Sequence, residues 1–122
     1  MIAKWRLANF KSVQNTTELP LAPLTIFAGP NSSGKSTMIQ SMLLISQTLR
    51  DSESDAAILL NGPLARLGVF DDVHSAGSDA PGIHIGWECE PRYRTNAPFS
   101  DFSGFYDVRA ISAVTCHLRL MY

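Results

Sequence analysis

One stretch restricts the fold of this chain more than any other. An apolar run, Leu24-Thr25-Ile26-Phe27-Ala28, gives way to Gly29-Pro30-Asn31-Ser32-Ser33-Gly34-Lys35-Ser36-Thr37, and a long helical pattern starts near Lys35. The middle part fits the spacing G-x-x-x-x-G-K-[ST] of a phosphate-binding P-loop, and a strand before it with a helix after it is the context such a loop needs. The motif points to a chain that binds a nucleoside triphosphate or descends from one that did. The alternative is a Gly/Ser turn that only joins a strand to a helix.

The chemistry follows from the residue types. A loop whose successive backbone N–H groups turn inward makes a concave nest of partial positive charge, here running through Asn31, Ser32, Ser33 and Gly34. The helix at its end adds orphan N–H groups and the positive end of its dipole. Gly29 and Gly34 let the backbone bend and approach oxygen atoms where a Cβ would collide. Lys35 is the candidate catalytic residue, with an ammonium long enough to reach the β- and γ-phosphates of ATP. The Ser36 hydroxyl is the candidate ligand for Mg²⁺, a hard cation that prefers oxygen. Thr37, in the same first turn, is placed to donate to the α-phosphate.

Around this motif the pattern is mixed. Ile2 to Ala8 alternates imperfectly and reads as a short strand, with Ile2 and Lys4 on one parity and Trp5 and Leu7 on the other. Asn9-Phe10-Lys11-Ser12-Val13 reads as a loop, and Thr16 to Leu19 as a second strand. Pro20 and Pro23 bracket a tight connection. The helix is expected from about Lys35 to about Arg50, with an apolar surface wider than one stripe, as for a helix packed on a sheet and covered by another layer. Its polarity rests on Gln40, Ser41, Gln47 and Thr48, and its methionines read as core packing. Asp51-Ser52-Glu53-Ser54-Asp55 reads as a solvated helix end. Asn61-Gly62-Pro63 marks a turn, and short pieces follow. Ile83 to Glu90 alternates clearly, with Ile83, Ile85, Trp87 and Cys89 on one side. Ala110 to Tyr122 repeats the pattern after a long connection beginning at Pro91. Two alternating strands joined in this way predict an antiparallel sheet with one wet face.

Composition sets limits. With 122 residues the chain has room for one small domain. Its net charge of −1 gives no global pull toward nucleic acid or membrane. The two cysteines, Cys89 and Cys116, have no metal-ligand spacing and read as reduced, half-buried thiols. No apolar run approaches the ~20 residues of a membrane span. Met1 to Arg6 lacks the apolar segment of a signal peptide, which points to the cytoplasm and away from membranes.

The order of strand, Asn9-Phe10-Lys11-Ser12, strand, and then Leu24 to Thr37 resembles the N-terminal part of ABC-type ATPases. It is most similar to the SMC/RecF/OLD-type group and the related AAA-labelled ATPases of bacterial phage-defence systems. That group pairs an F-[KR]-S/N loop with G-x-N-x-[SA]-G-K-[ST], and Asn31 and Ser33 match the second pattern. Leu67-Gly68-Val69-Phe70-Asp71-Asp72-Val73 also resembles a segment after the first helix in some of these ATPases. The resemblance implies an α/β fold: the first lobe of an ABC-type P-loop NTPase head, with a mixed sheet and an antiparallel β-subdomain, and incomplete. Residues 1–60 would form the P-loop core, and residues 61–122 the β-subdomain and connections. It makes Lys11 and Ser12 candidates to touch the base, ribose or phosphates, against the alternative of an ordinary surface lysine and turn serine. It implies ATP and Mg²⁺ as cofactors, a second ATPase head as partner, and DNA or a nuclease effector as the coupled component.

Other parts of such a head have no counterpart in this sequence. A Walker B strand, an apolar run ending in Asp-Glu, is missing: Asp71 comes too early, Asp72 is not Glu, and Gly104-Phe105-Tyr106 before Asp107 is not such a run. There is no L-S-G-G-type signature, and His74, His84 and His117 are scattered. Two readings stay open. One is a part of an ATPase whose hydrolysis draws on later sequence or a partner head. The other is a non-catalytic nucleotide-binding, structural or regulatory subunit. A small GTPase is disfavoured because no N-K-x-D-type motif is present. A nucleotide kinase is disfavoured because Arg92 and Arg94 hardly make a lid.

Overall fold

The computed structural model describes residues 1–51, 58–90 and 114–121. Its elements are β1 (Ile2–Ala8), β2 (Thr17–Pro20), α1 (Lys35–Arg50), the single turn α2 (Phe70–Val73), β3 (Gly82–Cys89) and β4 (Val114–Met121). The four strands form one sheet in the order β2-β1-β3-β4, and every pairing is antiparallel. The alternating segment at the start of the chain therefore lies beside β3, Trp5 opposite Trp87 and Leu7 opposite Ile85, and β3 separates it from β4.

The alternation sorts the sheet into two faces. Trp5 and Leu7 from β1 and Ile83 and Ile85 from β3 are buried, and they join Met38, Leu44 and Ile45 of α1 in one core. Burial of each such side chain contributes about 1.5–3 kcal/mol. The Trp5 and Trp87 rings stack with centroids 5.7 Å apart. On the opposite face Arg6 bonds Glu18 at 2.6 Å and lies 3.5 Å from Glu88, and Lys4 lies 3.7 Å from Glu88. These cross-strand ion pairs set the register on the wet side, as Trp5 and Leu7 set it on the dry side. His84 and His117 are exposed there, as the alternation predicts. Pro20 is tolerated because β2 is an edge strand.

The helix bounds agree with the periodicity, but two of its polar residues turn inward. Ser41 and Gln47 are buried. The Trp5 indole donates to Ser41 Oγ at 3.0 Å, and Ser41 donates to the Met38 carbonyl at 2.7 Å. A buried indole N–H needs such a partner. Gln47 Nε2 donates to the carbonyls of Leu59 at 2.5 Å and Ala65 at 3.1 Å, and Oε1 accepts from the Ala65 amide at 2.9 Å. One amide side chain thereby ties the segment around residues 59–65 to the helix. Meanwhile Ile39 and Leu49 are exposed, so among the described residues no further layer covers that side of α1.

The expected mixed sheet is corrected. Residues 24–28 belong to none of the four strands, and the sheet is antiparallel throughout. A mixed sheet needs a parallel neighbour beside this run, and the described strands pair only with one another. Phe27 packs against the core, whereas Leu24 and Ile26 are 78% and 79% exposed. Cys89 is free and half-buried. The Cys116 side chain, the acidic stretch from Ser52 on, the long connection beginning at Pro91, Asp107, and the first residues of the strand expected from Ala110 lie outside the described residues. No helix among the described residues is long and apolar enough to cross a membrane.

Candidate functional site

The loop that enters α1 is shaped by positive φ angles. Gly29 has φ 148°, Ser32 φ 66° and Gly34 φ 87°. A Cβ at Gly29 would stand 3.2 Å from Ser33 Oγ, a tight approach. At Gly34 a Cβ would have room, 3.6 Å from Ser12 Oγ, so there the conformation itself selects glycine. Gly34 is the N-cap of α1, and its left-handed geometry turns the chain into the helix in one residue. Asn31, Ser32 and Ser33 are exposed in the preceding turn.

The helix end that results suits an anion. No side chain caps α1, and its first turn carries no acidic residue, while Arg50 complements the dipole in the last turn. Lys35 arches back over the loop. Its Nζ donates to the carbonyls of Gly29 at 2.7 Å and Pro30 at 2.5 Å, and to Ser33 Oγ at 3.3 Å. All three are neutral acceptors, so its positive charge is not cancelled by a carboxylate. Ser36 is exposed beside it, and Thr37 is buried.

The turn at residues 9–12 is brought against this helix end. Asn9 and Lys11 take left-handed backbone conformations, φ 58° and 48°, and Phe10 is fully buried between them. Ser12 Oγ and Thr37 Oγ1 share a hydrogen bond of 2.8 Å. Lys11 Nζ donates to Gln40 Oε1 at 2.9 Å. Two residues singled out in the sequence, Lys11 and Ser12, therefore meet the first turns of α1. Like Lys35, Lys11 is held by a neutral acceptor, so two ammonium groups border one uncapped helix N-terminus.

Other expected groups are elsewhere. Asp72 accepts from the Val69 amide at 2.9 Å and caps α2. His74 Nε2 bonds the Ala80 carbonyl at 2.9 Å. Among the described residues no cluster of His, Cys, Asp and Glu is arranged to hold a metal ion. The residues that sequence reading missed are Gln40, the acceptor for Lys11, and Asn9, which anchors the turn. The signal for Asn9 was its type, since asparagine tolerates the left-handed region better than most residues.

A family model described as "AAA ATPase domain" matches residues 1–83. Comparison with curated proteins gave no match, and comparison with solved structures gave none.

Proposed function

Since the chain belongs to the AAA ATPase domain family, we propose that residues 29–37 bind the triphosphate of ATP. The observation that carries this reading is the N-terminus of α1, free of any side-chain cap or acid in its first turn. The backbone N–H groups of Asn31 through Ser36 would cradle the phosphates, and Lys35 would exchange its carbonyl acceptors for phosphate oxygens. Thr37 would serve the α-phosphate side. Lys11 and Ser12 would approach the same nucleotide from the 9–12 turn.

The residues present also fit a magnesium ion. Ser36 offers an exposed hydroxyl at the helix start, next to where the β- and γ-phosphates would lie, and Mg²⁺ is commonly held by one such oxygen together with phosphates and waters. When bound, the ion supplies charge neutralisation at the phosphate oxygens.

On this reading the chain contributes binding and charge to an ABC-type ATPase, while hydrolysis needs later sequence or a partner head, with DNA or an effector nuclease as the coupled component. A second reading, a non-catalytic nucleotide-binding subunit, draws on a specific observation. None of the side-chain hydrogen bonds or ion pairs described for residues 29–37 involves a carboxylate, and a general base or water-positioning group is what phosphoryl transfer to water requires.

Competition among ATP, ADP, AMP and inorganic triphosphate, each with Mg²⁺, tests the binding reading. Affinity is expected to fall from ATP to AMP, with triphosphate competing measurably. Equal affinity for ATP and AMP would place recognition on the nucleoside and contradict the assignment.

A further inference from the structure

The turn that carries Lys11 and Ser12 is held from behind by backbone bonds and by one buried side chain, that of Asn9. Asn9 is 8% exposed, and each of its polar groups has a partner. Its backbone N–H donates to the Gln14 carbonyl at 3.2 Å, and its carbonyl accepts from the Ser75 amide at 3.0 Å. Nδ2 donates to the Gly82 carbonyl at 3.1 Å, and Oδ1 accepts from Ser78 Oγ at 2.7 Å. The next residues repeat the attachment: the Lys11 amide donates to the Val73 carbonyl at 2.7 Å, and Phe10 bridges His74. The segment at residues 73–82 thus grips the back of the turn, and the front of the turn meets α1 through Ser12–Thr37 and Lys11–Gln40.

We propose that Asn9, locked by Ser78 and Gly82, is a positioning residue of the nucleotide site: it sets where Lys11 and Ser12 stand against the first turns of α1. This rests on the nucleotide-binding reading above. Asn9 and Lys11 both need left-handed backbone conformations, which cost free energy for non-glycine residues and persist only when surrounding bonds fix them. Besides the backbone bonds to Val73 and Ser75, the two side-chain bonds of Asn9 reach 69 and 73 residues along the chain to do so. Loosening them leaves Lys11 and Ser12 chemically intact but less well ordered, and binding then bears the cost of ordering them.

The test is a double-mutant cycle on Mg·ATP affinity, measured by titration with a fluorescent ATP analogue. Ser78→Ala removes the hydroxyl bonded to Asn9 Oδ1, and Asn9→Gly removes both side-chain bonds while accepting the backbone angle. Ser78→Ala is expected to weaken binding by about five-fold, the size of one neutral hydrogen bond, and Asn9→Gly by at least as much. Ser78→Thr, which keeps a hydroxyl, is expected to bind as the wild type does. In a Lys11→Met/Ser12→Ala background, Ser78→Ala is expected to have no further effect, because the groups it positions are gone. Wild-type affinity in Ser78→Ala, or a full additive loss in the Lys11→Met/Ser12→Ala background, would overturn the proposal. Lys35→Ala separates the two levels. If it loses affinity while Ser78→Ala does not, only the positioning role fails. If it binds as the wild type does, the nucleotide reading fails and the positioning role with it.

Discussion

Ser12 and Thr37 stand 25 residues apart in the chain and share a hydrogen bond of 2.8 Å at the first turn of α1. That bond brings the two short motifs of the N-terminal half, the turn after β1 and the loop before α1, into contact. Ser12 is exposed, but Thr37 is buried, so removing the Ser12 hydroxyl takes away the partner of a buried hydroxyl. Ser12→Ala is expected to weaken Mg·ATP binding about three- to ten-fold and to lower the unfolding free energy by about 1 kcal/mol, because the buried Thr37 hydroxyl loses its partner. Titration and urea denaturation of the same samples check both halves.

Gln47 offers the opposite case, a polar residue whose work is stability. It makes three bonds to the backbone of Leu59 and Ala65. Gln47→Leu keeps the approximate volume and takes the partner from the Leu59 carbonyl and the Ala65 amide, while the Ala65 carbonyl keeps its bond from the Gly62 amide. A loss of about 2–4 kcal/mol is expected in equilibrium urea unfolding, with the denaturant slope unchanged. A loss below about 0.5 kcal/mol would mean that the segment at 59–65 is held by something else.

Stability at acid pH should register the wet face of the sheet. The hydrogen bond from Arg6 holds the Glu18 carboxyl below its ordinary value of 4.5, and the guanidinium charge adds to this. Arg6 moves the other way, raised first by its bond to Glu18, and stays charged throughout. Because the folded-state value of Glu18 is depressed, its contribution is present above about pH 4.5 and is lost as pH falls through the folded value. Glu18→Gln is therefore expected to lower the melting temperature slightly at neutral pH and to converge with wild type in acid. The pair is exposed, so the difference should be small and should shrink in about 0.5 M salt.

Much of this was legible in the sequence because it rests on local rules. The bounds of α1, the alternation of β1 and β3, and the antiparallel pairing of β3 with β4 follow from periodicity. The left-handed Gly34 follows from residue type. What the sequence did not disclose depends on contacts between distant residues. Ser41 and Gln47 look like solvent-side residues by composition, yet Trp5 and the backbone near Ala65 draw them inward. Residues 24–28 read as a strand from their apolar character, but strand pairing needs a neighbour, and no local pattern states which neighbour is present. The meeting of Lys11 with Gln40 and of Ser12 with Thr37 is likewise long-range. The family resemblance suggested that the 9–12 turn lies near the nucleotide, whereas the partners on α1 came only from the folded chain.

The uncapped start of α1, with Lys35 above it, is the proposed site for the triphosphate of ATP. Titration of wild-type protein and Lys35→Ala with Mg·ATP under identical conditions tests it most directly. Wild type is expected to bind saturably, and Lys35→Ala to lose affinity by about ten-fold or more, the scale of a charge-assisted bond to phosphate. Equal binding by the two proteins, or no binding by wild type, would rule this site out.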